Sequence, residues 1–491
     1  MASRRRATGV NGGAAVLKQG RKVGTGCAVW LAFGIAATAG AAPGLPPEAL
    51  AALKRAGVPA EALSVVIEDA NSNRRVLQWQ ENKPVNPASL TKLLTTAAAL
   101  DRLGPAYSFA TPVWLSGPVA NGVLDGSVYI KGSGDPKLVI ERVWLLLRRI
   151  QQLGVREIRG DIVLDSSAYA VPDAAPGDFD GEPLRPYNVR PAALLFNFRS
   201  TVYSFTPDAA AGVARINADP ALAGTLVDRT VPLTGGACGD WRAALKAEFD
   251  AGRARFAGGY PASCGESTWP VADPQAATYE ARLIEALWRE MGGQLRGSVH
   301  EGLAPVDVKP SFEQRSPALA ELVRDINKYS NNLMAQQLFL ALALQANPRE
   351  AATPEAARAA MLRWLTERLG PLNDEVVLDN GSGLSRDTRI SAQRLAQVLL
   401  LAWDSPVMSE LMSSLPITGL DGTLRRSRAT PGRGHLKTGS LRDVAAVAGY
   451  VLSNSGKRYV LVAVINHPQA GAARPALDAL VQWAMRDVPR F

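Results

Sequence analysis

The chain has 491 residues, of which 47% are hydrophobic and 20% charged, an ordinary globular composition with length for two or three domains. Its formal charge of +9 gathers at the N-terminus: residues 1–42 hold six basic and no acidic side chains, and without them the charge is about +3, which gives no electrostatic case for a nucleic-acid partner. The three histidines, His300, His435 and His467, lie far apart without the His or Cys partners of a zinc site, so neither a metal nor a cofactor is expected and a Ser-His-Asp triad is disfavoured.

Taken in order, Arg4, Arg5, Arg6, Lys18, Arg21 and Lys22 precede an apolar run from Cys27 to Ala39 that ends in small residues. This is the pattern of a signal peptide over 1–42. The run is shorter than the roughly 20 residues of a membrane span, so cleavage and export to the periplasm, with secretion as the alternative, are expected. In an oxidising compartment Cys238 and Cys264 read as a disulfide.

Helical spacing over Pro46–Ala56 and strand-like runs at Leu63–Asp69 and Val76–Gln80 follow. A helix then begins at or next to Ser89 and stops at Gly104-Pro105. From about 106 to 310 the chain turns to short strand-like runs broken by Pro/Gly-rich stretches, which predicts an inserted, mostly β-rich region of one or two subdomains. Helical pattern returns at Pro317–Lys328, with Ser316 as the expected N-cap, and resumes after a polar break to Leu344. Three runs, His435–Leu441, Val444–Leu452 and Tyr459–Asn466, predict an antiparallel meander, and Ala473–Met485 a closing helix.

Three elements could carry chemistry. Ser89-Leu90-Thr91-Lys92 puts a hydroxyl and an amine three positions apart, on one face of a helix start. Ser330-Asn331-Asn332 sits in the polar break, where Tyr329-Ser330-Asn331 is a competing Tyr-x-Asn frame. Lys437-Thr438-Gly439 opens a strand, with Lys437 and Gly439 on one face, and the glycine is expected to let a substrate backbone approach the strand edge. Singly, each has an ordinary structural explanation: a cap and a solvated lysine, a helix connection, a strand entry. His435 reads as a strand histidine rather than a catalytic one.

In this order the three elements resemble the Ser-x-x-Lys, Ser-x-Asn and Lys-Thr-Gly set of penicillin-binding proteins and serine β-lactamases. The resemblance is strongest to the type-4 penicillin-binding proteins, the D-Ala-D-Ala carboxypeptidase/endopeptidase family. It extends through Asn86-Pro87-Ala88, Gly132-Ser133-Gly134-Asp135-Pro136, Asn380-Gly381-Ser382-Gly383-Leu384-Ser385-Arg386 and Asp421-Gly422-Thr423-Leu424. The 241 positions between Ser89 and Ser330 are similar to that family's long insertion and unlike the shorter gap of class A β-lactamases. Asn331 departs from the aspartate often found at the middle position.

The resemblance implies an α/β (α+β) fold: a β-lactamase/transpeptidase-like domain from 43–105 and 311–491, antiparallel sheet flanked by helices, split by the 106–310 insertion. It implies Ser89 as nucleophile, Lys92 as its base and Ser330 as proton relay. Asn332 would hold the substrate amide, and Lys437, Thr438, Gly439 and Ser440 would bind the terminal carboxylate and, through the Ser89 and Ser440 N–H groups, the oxyanion. The implied partners are peptidoglycan stem peptides and crosslinks, with β-lactams as covalent inhibitors. No class A-type deacylating glutamate element is evident, so a drug adduct is expected to persist. A β-lactamase and a non-catalytic wall scaffold are the rival readings. Peripheral membrane contact and the balance of carboxypeptidase against endopeptidase action stay open.

Overall fold

The computed structural model describes residues 44–250, 252–372 and 376–487; the expected leader, 1–42, lies outside them. Among the described residues no helix is long and apolar enough to cross a membrane.

The C-terminal strands Gly434–Leu441, Val444–Leu452 and Arg458–Asn466 form the expected meander. The sheet is nevertheless five-stranded, because the N-terminal hairpin Leu63–Asp69/Arg75–Trp79 adds to its far side, Leu63–Asp69 pairing with Arg458–Asn466 from Leu63 opposite Ile465 to Asp69 opposite Tyr459. Strand Gly434–Leu441 is left at one edge.

The three central strands are buried almost end to end, so both faces of the sheet are covered, and the period of two sorts their side chains into separate cores. Val66, Ala446, Ala448, Tyr450, Val462 and Val464 face a helical layer. Val65, Ile67, Ala445, Val447, Leu461 and Ala463 face the terminal helices Pro47–Arg55 and Arg474–Met485. At the centre of the helical layer runs Thr91–Leu103, buried on every side from Thr91 to Leu100. Its polar residues are satisfied internally: Thr95 donates to Gly381 O at 2.7 Å and Thr96 to Lys92 O at 2.7 Å.

Between the two halves of this domain, two further bodies form. In one, Ala110–Leu115, Val128–Lys131, Ile162–Asp165 and Val299–Glu301 make a sheet with Phe312–Arg315, packed on the helices Ile140–Gln152 and Tyr279–Glu290. Phe312–Arg315 thus pairs across the boundary expected at 310, opposite Ala110–Val113. The other is a β-body around Ser200–Asp208 and Val213–Asp219, with an aromatic core of Tyr203, Phe205, Phe256 and Tyr260 and a Cys238–Cys264 disulfide.

One boundary expectation is corrected. Helix Leu319–Lys328 starts after Ala318 without a side-chain cap. Ser316 instead accepts from Phe109 N at 2.9 Å and donates to Pro317 O at 2.7 Å, pinning the chain to the strand entry rather than the helix.

Candidate active site

Four segments far apart in sequence meet beside the edge strand. Ser89 lies in the single turn Ala88–Leu90 that leads into Thr91–Leu103. The turn is held from behind: Asn86 Oδ1 accepts from Ala88 N at 2.9 Å while its Nδ2 donates to Ser385 O at 2.9 Å. Asn466 exchanges hydrogen bonds with the Asn86 backbone, accepting from its N at 2.7 Å and donating to its O at 3.0 Å. These clamps keep Ala88 left-handed at φ 48°, a strained conformation that persists only where its surroundings over-determine it.

Lys92 and Lys437 are both fully buried. Lys92 Nζ lies 3.1 Å from Ser89 Oγ, 2.7 Å from Asn332 Oδ1 and 2.6 Å from Ser382 O. Burial first, and the charge of Lys437 second, hold the Lys92 amine well below the ordinary lysine value. A neutral amine has two N–H donors and one lone pair. The carbonyl oxygens of Asn332 and Ser382 can only accept, so they take the two N–H groups and leave the lone pair to receive the Ser89 O–H. This arrangement can take the proton from a hydroxyl nucleophile.

Ser330 lies between helices Leu319–Lys328 and Asn332–Ala346 in a left-handed conformation, φ 56°. Lys437 Nζ donates to Ser330 Oγ at 2.8 Å and to Thr438 O at 2.7 Å, and burial pushes Lys437 down to about 7. Tyr329, the competing frame, is 68% exposed. Asn331 caps the second helix, its Oδ1 accepting from Met334 N at 3.0 Å. An aspartate oxygen would serve equally there, which accounts for the departure at the middle position.

Thr438, half-buried, donates to Thr423 Oγ1 at 2.8 Å, and Arg474 donates to Ser440 Oγ at 2.7 Å. Gly439 packs directly against the Ser89 turn. A Cβ there would lie 2.7 Å from Pro87 O and 3.3 Å from the Ala88 Cβ. The strand thus presses on the Ser89 turn at Gly439 and leaves no room for a side chain there. His435 is half-buried, with Nδ1 3.2 Å from Met412 O, and burial lowers its pKa.

Two contributors were visible in the sequence without a role. Ser382 offers Lys92 its carbonyl. Gly383, at φ 79°, lets its loop sit against the Ser89 turn, where a Cβ would come 1.9 Å from Ala88 O. A cleft of about 910 Å³ leads away from Ser89, Ser330 and Asn332 to Tyr187, Phe198 and Trp269 of the inserted region.

A five-stranded antiparallel sheet between two helical layers, with the hydroxyl–lysine pair at its edge strand, defines the penicillin-binding-protein class of fold. The crystal structure of penicillin-binding protein 4 from Haemophilus influenzae aligns with a TM-score of 0.71 at 23% identity, covering 88% of this chain and 99% of that one. In sequence, the chain is 26% identical to the D-alanyl-D-alanine carboxypeptidase DacB of H. influenzae over 83% of its own length and 85% of the relative's. It is 28% identical to the D-alanyl-D-alanine carboxypeptidase of Actinomadura sp. strain R39, over 84% and 79%. The family profile described as D-Ala-D-Ala carboxypeptidase 3 (S13) matches residues 49–487, and the chain belongs to that family.

Proposed function

We propose that this D-Ala-D-Ala peptidase works through an acyl-enzyme on Ser89, with peptidoglycan stem peptides and their crosslinks as substrates. The observation that carries the reading is the Lys92 environment, in which two accept-only carbonyls direct the amine lone pair at Ser89. Ser89 Oγ attacks the carbonyl of the penultimate D-Ala and its proton passes to Lys92. The C–N bond breaks as that proton reaches the leaving amine by way of Ser330. Water then hydrolyses the ester and restores Ser89.

Lys437 and Thr438 take the terminal carboxylate, while Asn332, whose Oδ1 already meets Lys92, holds the substrate amide. Gly439 brings the edge strand against the nucleophile turn, so that the Ser89 and Ser440 N–H groups serve the oxyanion; such a donor is typically worth about 3–4 kcal/mol in the transition state. A β-lactam acylates the same serine. The basic, apolar leader of residues 1–42 supports export, which places the reaction in the periplasm where the substrate lies.

The test is the intact mass of the exported protein before and after benzylpenicillin. A one-to-one adduct is expected in the parent and none in Ser89→Ala. An intact drug and unmodified parent would leave the scaffold reading standing; a consumed drug without adduct would favour β-lactamase. The pH profile of acylation by substrate is a second measurement. Lys437 binds a carboxylate best as a cation, and its value of about 7 makes the free enzyme lose affinity as pH rises through 7.

A further inference from the structure

Ile140, Glu141, Asp219 and Pro220 line the cleft to which Ser89 belongs and also a second groove, of about 470 Å³, so the two meet at a common rim. The groove lies between helices Ile140–Gln152 and Tyr279–Glu290. Its floor is Leu283 and Leu287, buried in the core of that body. The first helix packs Val143, Leu146, Leu147 and Ile150 into the same core, which leaves Trp144 and Leu145 off the packed face, 43% and 46% exposed in the groove. The fold itself does not need an indole there.

Around this apolar strip stand three exposed carboxylates, Glu141, Asp219 and Glu290. Among the described residues none of the three has an ion pair or a side-chain hydrogen bond, and the indole N–H of Trp144 has no acceptor. A ligand that suits such a groove has an apolar face and a polar edge. A pyranose ring meets both conditions: its C–H face lies on the indole, and its hydroxyl and amide groups donate to carboxylates, which can only accept. An anionic lipid surface fits less well, because the carboxylates rim the groove while the exposed Arg148 and Arg149, one turn further along the helix, lie outside it. The volume is within the roughly 300–1,000 Å³ of small-molecule sites.

We infer that this groove holds the sugar strand from which the stem peptide hangs, an uncharged N-acetylated glycan, with Trp144 as its platform. The inference rests on the proposed acyl-enzyme reading, which fixes the end of the stem at Ser89. From the D-Ala carbonyl at Ser89 the acyl half runs back through the rest of the stem to the sugar. The cleft leads the same way, from Ser89 past Tyr187 and Phe198 to the rim at Ile140 and Pro220, so the groove is the continuation open to the sugar-bearing end. Amidation of the sugar's lactyl carboxylate by the stem leaves it without charge, and the three rim carboxylates then meet hydrogen-bond donors instead of an anion. The residue that leaves, at Lys437 and Thr438, takes no part in this contact.

Steady-state kinetics on one D-Ala-terminated pentapeptide stem, free and carried on its N-acetylated disaccharide, test the assignment, with benzylpenicillin acylation as the control for the folded site. The parent is expected to have a KM about tenfold lower for the disaccharide substrate with kcat unchanged, as for a contact made equally in ground and transition states. Trp144→Ala should raise that KM about tenfold, to the free-stem value, while free-stem cleavage and penicillin acylation stay within about twofold. Trp144→Phe, which keeps a ring, should recover part of the difference. Equal KM for the two substrates in the parent, a disaccharide KM untouched by Trp144→Ala, or an equal loss on both substrates with penicillin acylation kept would overturn the groove while sparing the acyl-enzyme. Sedimentation with anionic phospholipid vesicles that depends on Trp144, alongside unchanged disaccharide kinetics, would give the patch to a membrane surface and overturn the glycan. A parent that penicillin does not acylate and that cleaves neither substrate overturns both readings.

Discussion

The catalytic domain and the inserted β-body are stabilised by different means. The former sandwiches its sheet between two large aliphatic cores and can therefore keep two lysines fully buried beside each other. The latter has a small core in which Phe205 stacks on Tyr260 at 5.5 Å and meets Phe256 and Trp241 edge to face, and a disulfide spans its edge. A small body buries too little surface to hold itself by aliphatic packing alone, so aromatic area and a covalent link supply the difference. The larger domain has stability to spend on a costly site.

Lys437→Met breaks this contrast most strongly. Substrate acylation is expected to fall about 10³-fold with loss of the carboxylate and Ser330 partner, while the melting temperature rises, since removing a buried charge often stabilises by about 1–4 kcal/mol. The sign with pH follows from the lowered value. Between about 7 and the ordinary lysine range the unfolded chain binds the extra proton, so the parent gains stability as pH rises through that window and the gain is complete above it. The advantage of Lys437→Met should therefore be greatest below pH 7 and shrink above it. A variant no more stable than the parent at pH 6 would show that this lysine is not a destabilising burial.

Gly383→Ala tests the same domain from the backbone side. A Cβ so near Ala88 O, on a residue at φ 79°, must push the loop off the Ser89 turn. Penicillin acylation is expected to drop about 10²-fold, the usual cost of a misplacement near 1 Å, with stability lowered by about 2–4 kcal/mol.

What could be read beforehand divides along similar lines. Ser89 with Lys92, and Lys437 with Gly439, are pairs within one local period, so helix and strand geometry were enough to put them on common faces. The meander and the closing helix were legible for the same reason. The Ser382 carbonyl at Lys92, the Asn86 clamp on Ser385 and the addition of Leu63–Asp69 to Arg458–Asn466 each join residues hundreds of positions apart. No periodicity encodes such meetings. Ser316 misled because a serine before a helical run has two uses for its hydroxyl, and here a strand amide took it.

Removing the disulfide sharpens the comparison from the other side. Cys238→Ser with Cys264→Ser opens a link across 26 positions, expected to cost about 3 kcal/mol in the chain-entropy model. The loss should appear as earlier proteolysis confined to the β-body, while penicillin acylation stays within about twofold. If acylation fell in parallel, the two regions would not be energetically separate.

Asn331→Asp should have the smallest effect. Although it lies between Ser330 and Asn332, its side chain is directed at Met334 N, a cap that a carboxylate makes as well and that the helix N-terminus favours. Stability is expected to stay within about 0.5 kcal/mol and acylation within about twofold, whereas Asn331→Ala loses the cap at about 1 kcal/mol. A large change in acylation for the aspartate variant alone would mean that charge at this position reaches Lys437, and the buried amine pair would then extend to the helix cap.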